Sequence, residues 1–548
     1  MMNLVKTILI GGAAGDGVKE AGINLARLLS SLGYYVFVSF EYPSLIRGGH
    51  NFCRISFSTE KIFNDHTTVD ILLALNSETI ELHKKELNKN ALIISEKDLA
   101  MSVWAKEIGA PSIMRLSAAL GALCKYWELP LKNLEHIFTE VFKEKAEKNI
   151  KLAQRGFDNF RPHVLDKLKI FKARPGEIVT DGNVALAEGL IKAGLNVYAA
   201  YPMTPASSIM HHLAKVGPTR RVTTVQPENE LSVANLAIGS AYAGARTAVG
   251  TSGGGFALME ESFSLAGITE TPFLAILSQR PGPATGVPTG TAQSDLNMAR
   301  AAGHGEFPRI VLAPGDAEES YLLGGEALNL AWQFQTPVIV LLDKHLSESM
   351  VNVKLPQEKL KIKLGKIVKE VKGDYARYQF TADGISPMAF PGTQNAMIKA
   401  NSYEHDEHGF STEDLKLIVK MNDKRFKKMQ GIKKAVAQLT PIKIYGDKKS
   451  KNVILFWGST KCAALEALKE NKKSIKAIQV LCVEPLPIDA LKKELARAKK
   501  IIAVETNVTG QLADLVSEKC GVKINQKILR YDGRPFAVGD LVEKFKKI

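Results

Sequence analysis

The chain changes from an apolar run, predicted to be a buried strand, to a polar loop at Val197-Tyr198-Ala199-Ala200-Tyr201-Pro202-Met203-Thr204-Pro205, and this is the most informative stretch of the sequence. Its first four residues have the apolar composition of a short strand, which the two prolines around Thr204 bring to an end. A second apolar strand, 275–277, runs into Ser278-Gln279-Arg280 in the same way. In open α/β sheets, ligands collect at the carboxyl ends of strands. The sequence therefore predicts an α/β fold in which a hydroxyl, a guanidinium and a carboxylate from Glu228-Asn229-Glu230 form a site for a small carboxylic acid.

The size and composition indicate a multidomain globular protein. A chain of 548 residues is too long for one hydrophobic core, and three domains are expected. A content of 45% hydrophobic and 24% charged residues is ordinary for a globular protein. No apolar run is long enough to span a bilayer, and the start, Met1–Lys6, lacks the layout of a signal peptide. We therefore expect a cytoplasmic protein that does not enter a membrane.

The cysteines and the charge limit the classes of partner. Five cysteines are scattered without a Cys-x-x-Cys pair, which predicts structural thiols and places any iron–sulfur cluster in another chain. No metal-ligand spacing is present, and the lone His304 is expected to make a structural hydrogen bond. The net charge of +15 comes from lysines on predicted solvated helix faces without interleaved aromatic residues. This pattern favours a generic basic surface over nucleic-acid binding, and it also suits attraction of an acidic electron carrier.

Four segments are predicted along the chain. Residues 1–172 alternate strands and helices as in a doubly wound sheet, and 173–177 form a linker. A second α/β unit covers 178–350, in which Asp181 or Asn183 is expected to cap a helix. Residues 351–440 are more polar and are predicted to be an extended connecting segment, before a third α/β unit at 441–548. The predicted strands are 7–10, 35–38, 71–75, 91–94, 197–200, 247–250, 273–277, 309–312, 338–342, 453–457, 477–481 and 501–505.

A glycine loop, Gly11–Gly17, is predicted between the first strand and a helix, where helix amides favour a phosphate. Its spacing is not Gly-x-Gly-x-x-Gly, so it favours a tight turn or a phosphate-bearing ligand such as coenzyme A over a dinucleotide. Gly15-Asp16-Gly17 is not interpreted as the metal motif of thiamine enzymes, because no Asn-Asn pair follows at a suitable distance. The stretch Arg47–Asn51 is about equally consistent with an anion contact and a surface turn.

Two carboxylates, Glu228 and Glu230, precede a predicted helix of small residues, where the helix dipole stabilises negative charge. Residues two apart do not share one helical face, so one of the pair is expected to be structural. From the residues alone, a chemical role and a plain helix cap are equally open. The turn Thr251–Phe256 lies between a strand and a helix, where a ligand can approach the backbone, and the long polar loop 285–295 is also expected to be functional.

Five motifs follow one another in a fixed order: Tyr-Pro-x-Thr-Pro at 201–205, Glu-x-Glu at 228–230, Thr-Ser-Gly-x-Gly-Phe at 251–256, Gln-Arg-x-Gly-Pro-x-Thr-Gly at 279–286, and Gly-His-Gly-Glu-Phe-Pro at 303–308. In order and spacing they resemble the α subunit of 2-oxoacid:ferredoxin oxidoreductases. Residues 1–172 resemble the family's γ subunit, with Gly-x-x-Gly-x-Gly at 12–17 and Arg-Gly-Gly-His at 47–50. The last hundred residues resemble the family's transketolase C-terminal-type domain.

The resemblance implies three consecutive α/β domains: a γ-type doubly wound domain, a thiamine diphosphate domain of the pyrimidine-binding type, and a transketolase C-terminal-type domain. It implies CoA-dependent oxidative decarboxylation of a 2-oxoacid to an acyl-CoA, with electrons passed to ferredoxin. Thiamine diphosphate would be shared with a separate β subunit that also holds Mg²⁺ and a 4Fe–4S cluster. The two subunits would form an αβ or (αβ)2 complex, with coenzyme A as cosubstrate.

The same resemblance assigns roles to individual residues. Glu230 corresponds to the glutamate that hydrogen-bonds N1′ of the cofactor's aminopyrimidine, which makes Glu228 secondary. Thr204 and Arg280 correspond to residues that contact the substrate, and the guanidinium would pair with its carboxylate as a two-pronged clamp. The remaining expected contacts are Tyr201 and Pro202 for the substrate, and Thr251, Ser252, Gly253, Gly12, Gly15, Gly17 and Arg47 for cofactors.

Departures from the family pattern bear on the substrate. Met203 and Ala206 replace Ile and Ser, and the lost hydroxyl would loosen specificity. The 285–289 and 303–308 motifs resemble the 2-oxoglutarate or broad-specificity branch, whereas Gly290 replaces an arginine often found there, which leaves 2-oxoglutarate itself open. Two alternatives are an indolepyruvate-type or other 2-oxoacid:acceptor oxidoreductase subunit, and a non-catalytic electron-transfer or nucleotide-binding scaffold.

Overall fold

The computed structural model describes residues 5–42 and 49–548 and contains three β-sheets against which helices pack. The predicted α/β class is confirmed. The first α/β unit comprises β1 (Lys6–Ala13), α1 (Val18–Ser31), β2 (Tyr35–Glu41), β3 (His50–Ser58), β4 (Val69–Ala74), α2 (Ser77–His83), β5 (Leu87–Ser95), α3 (Met101–Ile108), α4 (Leu116–Tyr126), α5 (Lys132–Phe142) and α6 (Ala146–Asn159).

The second unit comprises β6 (Ile178–Asp181), α7 (Gly182–Lys192), β7 (Val197–Ala199), α8 (Ser207–Arg220), β8 (Thr223–Val225), α9 (Glu230–Tyr242), β9 (Thr247–Thr251), α10 (Gly253–Leu258), α11 (Glu260–Ile268), β10 (Phe273–Gln279), α12 (Leu296–Ala301), β11 (Ile310–Leu312), α13 (Ala317–Phe334), β12 (Pro337–Asp343), α14 (Lys344–Glu348) and β13 (Met350–Val353). Asp181 caps α7 as expected, since its side chain accepts a hydrogen bond from the Val184 amide at 2.7 Å.

The rest of the chain comprises α15 (Leu415–Gln438), β14 (Ile442–Gly446), β15 (Asn452–Trp457), α16 (Thr460–Glu470), β16 (Lys476–Val480), β17 (Cys482–Glu484), α17 (Ile488–Leu495), β18 (Lys500–Glu505), α18 (Gln511–Cys520), β19 (Gln526–Leu529) and α19 (Val538–Phe545). The third sheet has the strand order β14-β16-β15-β18-β19. In the described part of the chain, no helix is long and apolar enough to cross a bilayer.

The first sheet has the order β5-β4-β1-β3-β2-β13-β6, and two of its features differ from the prediction. Strand β3 runs antiparallel between β1 and β2, so His50 and Asn51 begin a strand instead of forming a turn. Gly11 and Gly12 belong to β1, which shortens the glycine loop to the residues after Ala13. Strands β13 and β6 join the edge at β2, so this sheet continues into the second unit.

The second sheet carries the polar loops of interest. Its order is β17-β11-β12-β10-β9-β7-β8, and every pair from β11 to β8 is parallel. Strands β10 and β12 are buried along their whole length, as expected of parallel strands covered on both faces. Because neighbouring parallel strands end at the same edge, the loops after β10, β9, β7 and β8 lie together.

The segment 351–440 is not simply an extended connection. It begins within β13 and contains the 24-residue helix α15, which packs against the second unit. The lysines of this helix were predicted to lie on a solvated face, but Lys424 and Lys428 are buried. Both form ion pairs with the buried Glu270, which explains how a lysine-rich helix can face the core.

Candidate functional site

Four loops at the carboxyl edge of the second sheet bring together the residues that the sequence singled out. Arg280 follows β10, Thr251 ends β9 with Ser252 directly after it, and Thr204 lies in the loop after β7. The loop after β8 leads to Glu230, the first residue of α9. The order β10-β9-β7-β8 places these four strand ends side by side, so residues up to 76 positions apart in sequence share one site.

Arg280 and Thr204 are in direct contact. The guanidinium donates from Nη1 to the carbonyl oxygen of Thr204 at 2.8 Å. Burial lowers the pKa of Arg280 from its ordinary value, although a guanidinium stays charged at neutral pH. Tyr201, at the start of the same loop, is 40% exposed, and Pro202 is also exposed. The pair thus presents a half-buried cation at an accessible loop.

Glu230 is buried and its carboxylate is incompletely satisfied. The residue is 4% exposed, and Asn229 caps the helix by accepting a hydrogen bond from the Ser232 amide at 2.9 Å. Within the described residues, Oε1 of Glu230 has no hydrogen-bond partner. Glu228 is exposed and hydrogen-bonds to the Ser232 hydroxyl. The structure therefore separates the two carboxylates, since Asn229 supplies the cap and Glu230 is held in the interior.

A glycine turn faces Glu230. A Cβ atom added to Gly255 would lie 2.5 Å from Oε1 of Glu230 and 2.2 Å from Oγ1 of Thr251, so the backbone of α10 touches both side chains. The Thr251 hydroxyl also lies 3.9 Å from the Met203 sulfur, which links this turn to the Thr204 loop. Among the described residues, the buried Ser252 hydroxyl has no partner either. Unsatisfied buried polar atoms are rare in proteins, and several around one turn indicate a ligand site.

Asp295 is a residue of this site that the sequence did not single out. Its Oδ2 is buried without a partner in the part of the chain that is described, and a Cβ on Gly253 would lie 2.9 Å from that atom. The backbone amide of Asp295 is held by Oε1 of Gln279 at 2.9 Å. Burial raises the pKa of Asp295 to about 6. The only sequence signal was its position at the end of the long polar loop 285–295.

The predicted glycine contacts in the first unit belong to the end of β1 and the turn after it, away from the second sheet. The loop after β1 is occupied by the chain's own carboxylate, since Asp16 accepts from the Ala13 amide at 2.8 Å and pairs with Arg115 at 2.6 Å. Gly15 and Gly17 adopt positive φ values of 90° and 79°. A Cβ on Gly12 would lie 2.8 Å from the Asp16 carboxylate. Arg47 lies outside the described residues.

The cysteines are single buried thiols. Cys53, Cys124, Cys462, Cys482 and Cys520 are all buried and free. Burial raises the pKa of Cys53 and Cys124 to about 12, which makes both thiols unreactive. Residues 5–42 and 49–548 contain no group of three His, Cys, Asp or Glu residues able to hold a metal ion.

An open groove of about 1140 Å³ begins next to the Glu230 helix. One wall is the face of α9 that carries Leu231, Asn235, Ile238 and Tyr242, residues spaced to lie on one side of a helix. The opposite walls come from α11, the 304–307 loop and the segment 400–425. Leu231 and Leu258, which flank the turn at Glu230, are 46% and 50% exposed. Exposed apolar residues beside an open groove are typical of a protein interface.

Comparisons with known proteins identify the family. Residues 188–424 match the model "pyruvate flavodoxin/ferredoxin oxidoreductase, thiamine diP-bdg", and residues 7–159 match "pyruvate ferredoxin/flavodoxin oxidoreductase". The 2-oxoacid:ferredoxin oxidoreductase subunit alpha of a Sulfolobus species is 31% identical over 98% of this chain and 96% of its own length. The 2-oxoglutarate synthase subunit KorA of Archaeoglobus fulgidus is 31% identical over 66% of this chain and 96% of its own length.

A solved structure matches along the whole chain. It is a 2-oxoglutarate:ferredoxin oxidoreductase from Magnetococcus marinus with 2-oxoglutarate, coenzyme A and succinyl-CoA bound, and it aligns with a TM-score of 0.90 and 29% identity over 99% of both chains. Relatives of this kind are named as subunits of larger enzymes. The sequence motifs, the fold and these relatives agree, and the chain belongs to the α subunits of the 2-oxoacid:ferredoxin oxidoreductases.

Proposed function

We propose that this subunit works with a β subunit in the CoA-dependent oxidative decarboxylation of a 2-oxoacid. In the balanced reaction, the carboxylate of the acid leaves as CO₂, and its acyl carbon forms a thioester with the sulfur of coenzyme A. The thiol loses its proton to solvent, and two electrons pass to oxidised ferredoxin. The observation that carries the proposal is Glu230, a buried carboxylate whose Oε1 has no partner among the described residues. Its position beside a glycine turn is the one that the family resemblance requires of the thiamine-binding glutamate.

The residues around Glu230 fit the pyrimidine end of thiamine diphosphate. A flat ring bearing hydrogen-bond donors would satisfy Oε1 of Glu230 and the free Ser252 hydroxyl. The absence of side chains at Gly253 and Gly255 lets the carboxylates of Asp295 and Glu230 lie against the backbone of this turn. When bound, the cofactor supplies the carbon nucleophile and electron sink for decarboxylation. Glu230 would hold the proton at the pyrimidine nitrogen, and Thr251 would position the carboxylate.

Arg280 and Thr204 would bind the acid. With Nη1 fixed on the Thr204 carbonyl oxygen, the remaining N–H groups of Arg280 are oriented as a fork for a carboxylate. The Thr204 hydroxyl would donate to the substrate, with Tyr201 and Pro202 forming the nearby wall. Half-burial of the guanidinium strengthens its attraction for an anion. These assignments explain why a cation and a hydroxyl meet at the edge that also carries Glu230.

The β subunit is proposed to hold the parts that this chain does not supply. No metal cluster or reactive thiol pair is present in the described residues, so Mg²⁺ and the 4Fe–4S cluster are assigned to the partner. The groove along α9 and the exposed Leu231 and Leu258 offer it a docking surface directly beside Glu230. Coenzyme A is the proposed acyl acceptor, and Gly12, Gly15, Gly17 and Arg47 remain its predicted contacts. We also expect a cytoplasmic αβ or (αβ)2 complex.

The test is anaerobic co-expression with the β chain and measurement of CoA-dependent reduction of a low-potential dye with a panel of 2-oxoacids. We expect turnover only from the two-chain complex, and a loss of at least about 100-fold in Glu230→Gln, because the amide cannot hold the proton as the carboxylate does. Glu228→Gln, two residues away and exposed, is the matched control and should retain activity. Equal activity of Glu230→Gln and the wild type would contradict the assignment, and strict preference for aromatic acids would favour the indolepyruvate-type alternative.

A further inference from the structure

A loop from the third unit rests on the loop that follows the substrate clamp. The Thr291 amide donates to the carbonyl oxygen of Gly533 at 2.8 Å. A Cβ on Gly533 would lie 3.7 Å from Cγ of Pro281 and 3.8 Å from Cγ1 of Val287, which are ordinary contact distances. Pro281 directly follows Arg280 in the chain. The contact therefore brings the next residue of the third-unit loop, Arg534, into the neighbourhood of the clamp.

The substrate loop has no room for a side chain of its own at this contact. Gly290 is buried, and a Cβ there would lie 2.9 Å from the Gly533 carbonyl oxygen and 3.1 Å from Cγ of Pro281. Any longer side chain at position 290 would push the two loops apart. Position 290 therefore cannot supply a charged side chain here, whereas Arg534 directly follows the contacting Gly533.

Arg534 carries a charge that the described protein does not neutralise. The Arg530 guanidinium donates hydrogen bonds to both carboxylate oxygens of Asp532, at 2.9 Å and 3.0 Å, and to Asp540 at 3.0 Å. The Arg534 backbone amide is fixed by Asp532 at 3.1 Å. Its guanidinium is exposed and has no hydrogen-bond or ion-pair partner in residues 5–42 and 49–548. The loop thus holds one arginine in place and leaves the other available to an external anion.

We propose that Arg534 binds the second carboxylate of a dicarboxylic 2-oxoacid whose first carboxylate is held by Arg280. This inference rests on the proposed function and adds to it the substrate class and a specificity-determining residue. A planar guanidinium suits a carboxylate, and two separated cations select an acid with a carboxylate at each end. The phosphates of coenzyme A are the other anions that the reaction brings to the enzyme, and the experiment separates the two sources.

The experiment compares Arg534→Gln with Arg530→Gln in the complete α–β complex, using 2-oxoglutarate, the monocarboxylic 2-oxobutyrate, and varied coenzyme A. For Arg534→Gln we expect KM for 2-oxoglutarate to rise about 10- to 100-fold, with kcat/KM for 2-oxobutyrate and KM for coenzyme A unchanged. In Arg534→Lys the rise in KM for 2-oxoglutarate should be smaller than in Arg534→Gln, because lysine keeps the charge. Arg530→Gln should leave the ratio of kcat/KM for 2-oxoglutarate to kcat/KM for 2-oxobutyrate as in the wild type, because the partners of Arg530 are Asp532 and Asp540.

Each other outcome has a defined meaning. Equal losses with both acids, or a rise only in KM for coenzyme A, would overturn the proposed role of Arg534. A wild-type complex that turns over 2-oxobutyrate but no dicarboxylic acid would overturn it as well, while the proposed function would stand. A wild-type complex that turns over neither acid nor any other 2-oxoacid would contradict the proposed function itself. Retained 2-oxobutyrate turnover in Arg534→Gln shows that the variant is folded.

Discussion

Nη1 of Arg280 lies 2.8 Å from the carbonyl oxygen of Thr204. This hydrogen bond joins the loop after β10 to the loop after β7, which β9 separates in the sheet. It fixes the plane of the guanidinium, because a donor engaged on a backbone oxygen cannot rotate freely. The remaining N–H groups are therefore oriented before any ligand arrives, and such preorganisation strengthens binding.

We predict that Arg280→Gln lowers kcat/KM for every 2-oxoacid by about 100-fold or more, since a charge-assisted pair with the carboxylate is lost. The kcat/KM of Arg280→Lys should lie between those of Arg280→Gln and the wild type, because lysine keeps the charge but not the two-pronged geometry. Steady-state kinetics of the α–β complex measures both. Arg221→Gln is the control, as Arg221 is exposed at the end of α8. Wild-type kinetics for Arg280→Gln would remove it from the site.

The glycine turn allows a sharper comparison of neighbouring positions. In Gly255→Ala, the new methyl group would stand 2.2 Å from Oγ1 of Thr251 and 2.5 Å from Oε1 of Glu230, whereas at Gly254 it would meet nothing within 4 Å in this chain. We expect Gly255→Ala to weaken thiamine diphosphate activation of the complex at least about 10-fold, because it displaces Glu230. Gly254→Ala should leave activation unchanged and add up to about 1 kcal/mol of stability as a better helix former. Similar behaviour of the two variants would contradict a shaped cofactor site.

Asp295 leads to a prediction about pH. Its pKa in the folded protein is raised by burial to about 6, against an ordinary value of 3.8, so the folded state holds this proton more tightly than the unfolded state. The corresponding stability is complete below about pH 4 and is lost as the pH rises through 6. Asp295→Asn should therefore match the wild type in stability at about pH 4 and be more stable by about 3 kcal/mol well above pH 6.

Thermal unfolding across that pH range measures the difference. The exposed Asp423→Asn serves as the control and should show no such pH-dependent gain. A stability difference between Asp295→Asn and the wild type that stays the same at all pH values would contradict the prediction. It would show that Asp295 is ionised throughout and that another group stabilises its charge.

Much of the fold follows from local sequence patterns, and the exceptions have physical causes. Apolar runs such as 273–277 and 338–342 correctly predict strands, because parallel strands buried on both faces have few polar residues. Strand β3 escaped prediction because its first residues, His50 and Asn51, are polar and follow a glycine pair. Strands β6 and β13 are four residues long, and their pairing across two units is a long-range property that no local pattern encodes.

In the site, too, some features follow from local sequence patterns and others depend on how distant parts of the chain pack. Loops at predicted strand ends pointed to Thr204, Thr251, Arg280 and the pair Glu228 and Glu230, and the sheet places these loops at one edge. The choice between Glu228 and Glu230 required either the family resemblance or the structure, because both precede the same helix. Burial and the missing partner of Oε1 distinguish Glu230 in the described protein. The contact of Gly533 with the 281–291 loop was not predicted, since it depends on how two α/β units pack.

Helix α15 was missed because its buried face contains charged residues. Lys424 and Lys428 each contact one carboxylate oxygen of Glu270 at 2.5 Å, and Arg377 donates to the Glu270 backbone oxygen at 2.7 Å. Although burial alone would raise it, the three cations hold the pKa of Glu270 well below its usual range. Burial lowers the pKa of Lys428 to about 8. This cluster attaches the 351–440 segment to the end of α11 through paired charges, in addition to the buried apolar side chains of Met421, Ile432 and Val436.

The cluster predicts an order of stability among its variants. Glu270→Gln leaves Lys424, Lys428 and Arg377 buried without a counter-charge, and we expect a loss of about 3–5 kcal/mol. Lys428→Met removes one cation while Glu270 keeps Lys424, so its cost should be clearly smaller. Differential scanning calorimetry measures both, with the exposed Glu413→Gln as a control for the same segment. A larger loss for Lys428→Met than for Glu270→Gln would mean that lysine packing, and not charge pairing, holds α15 in place.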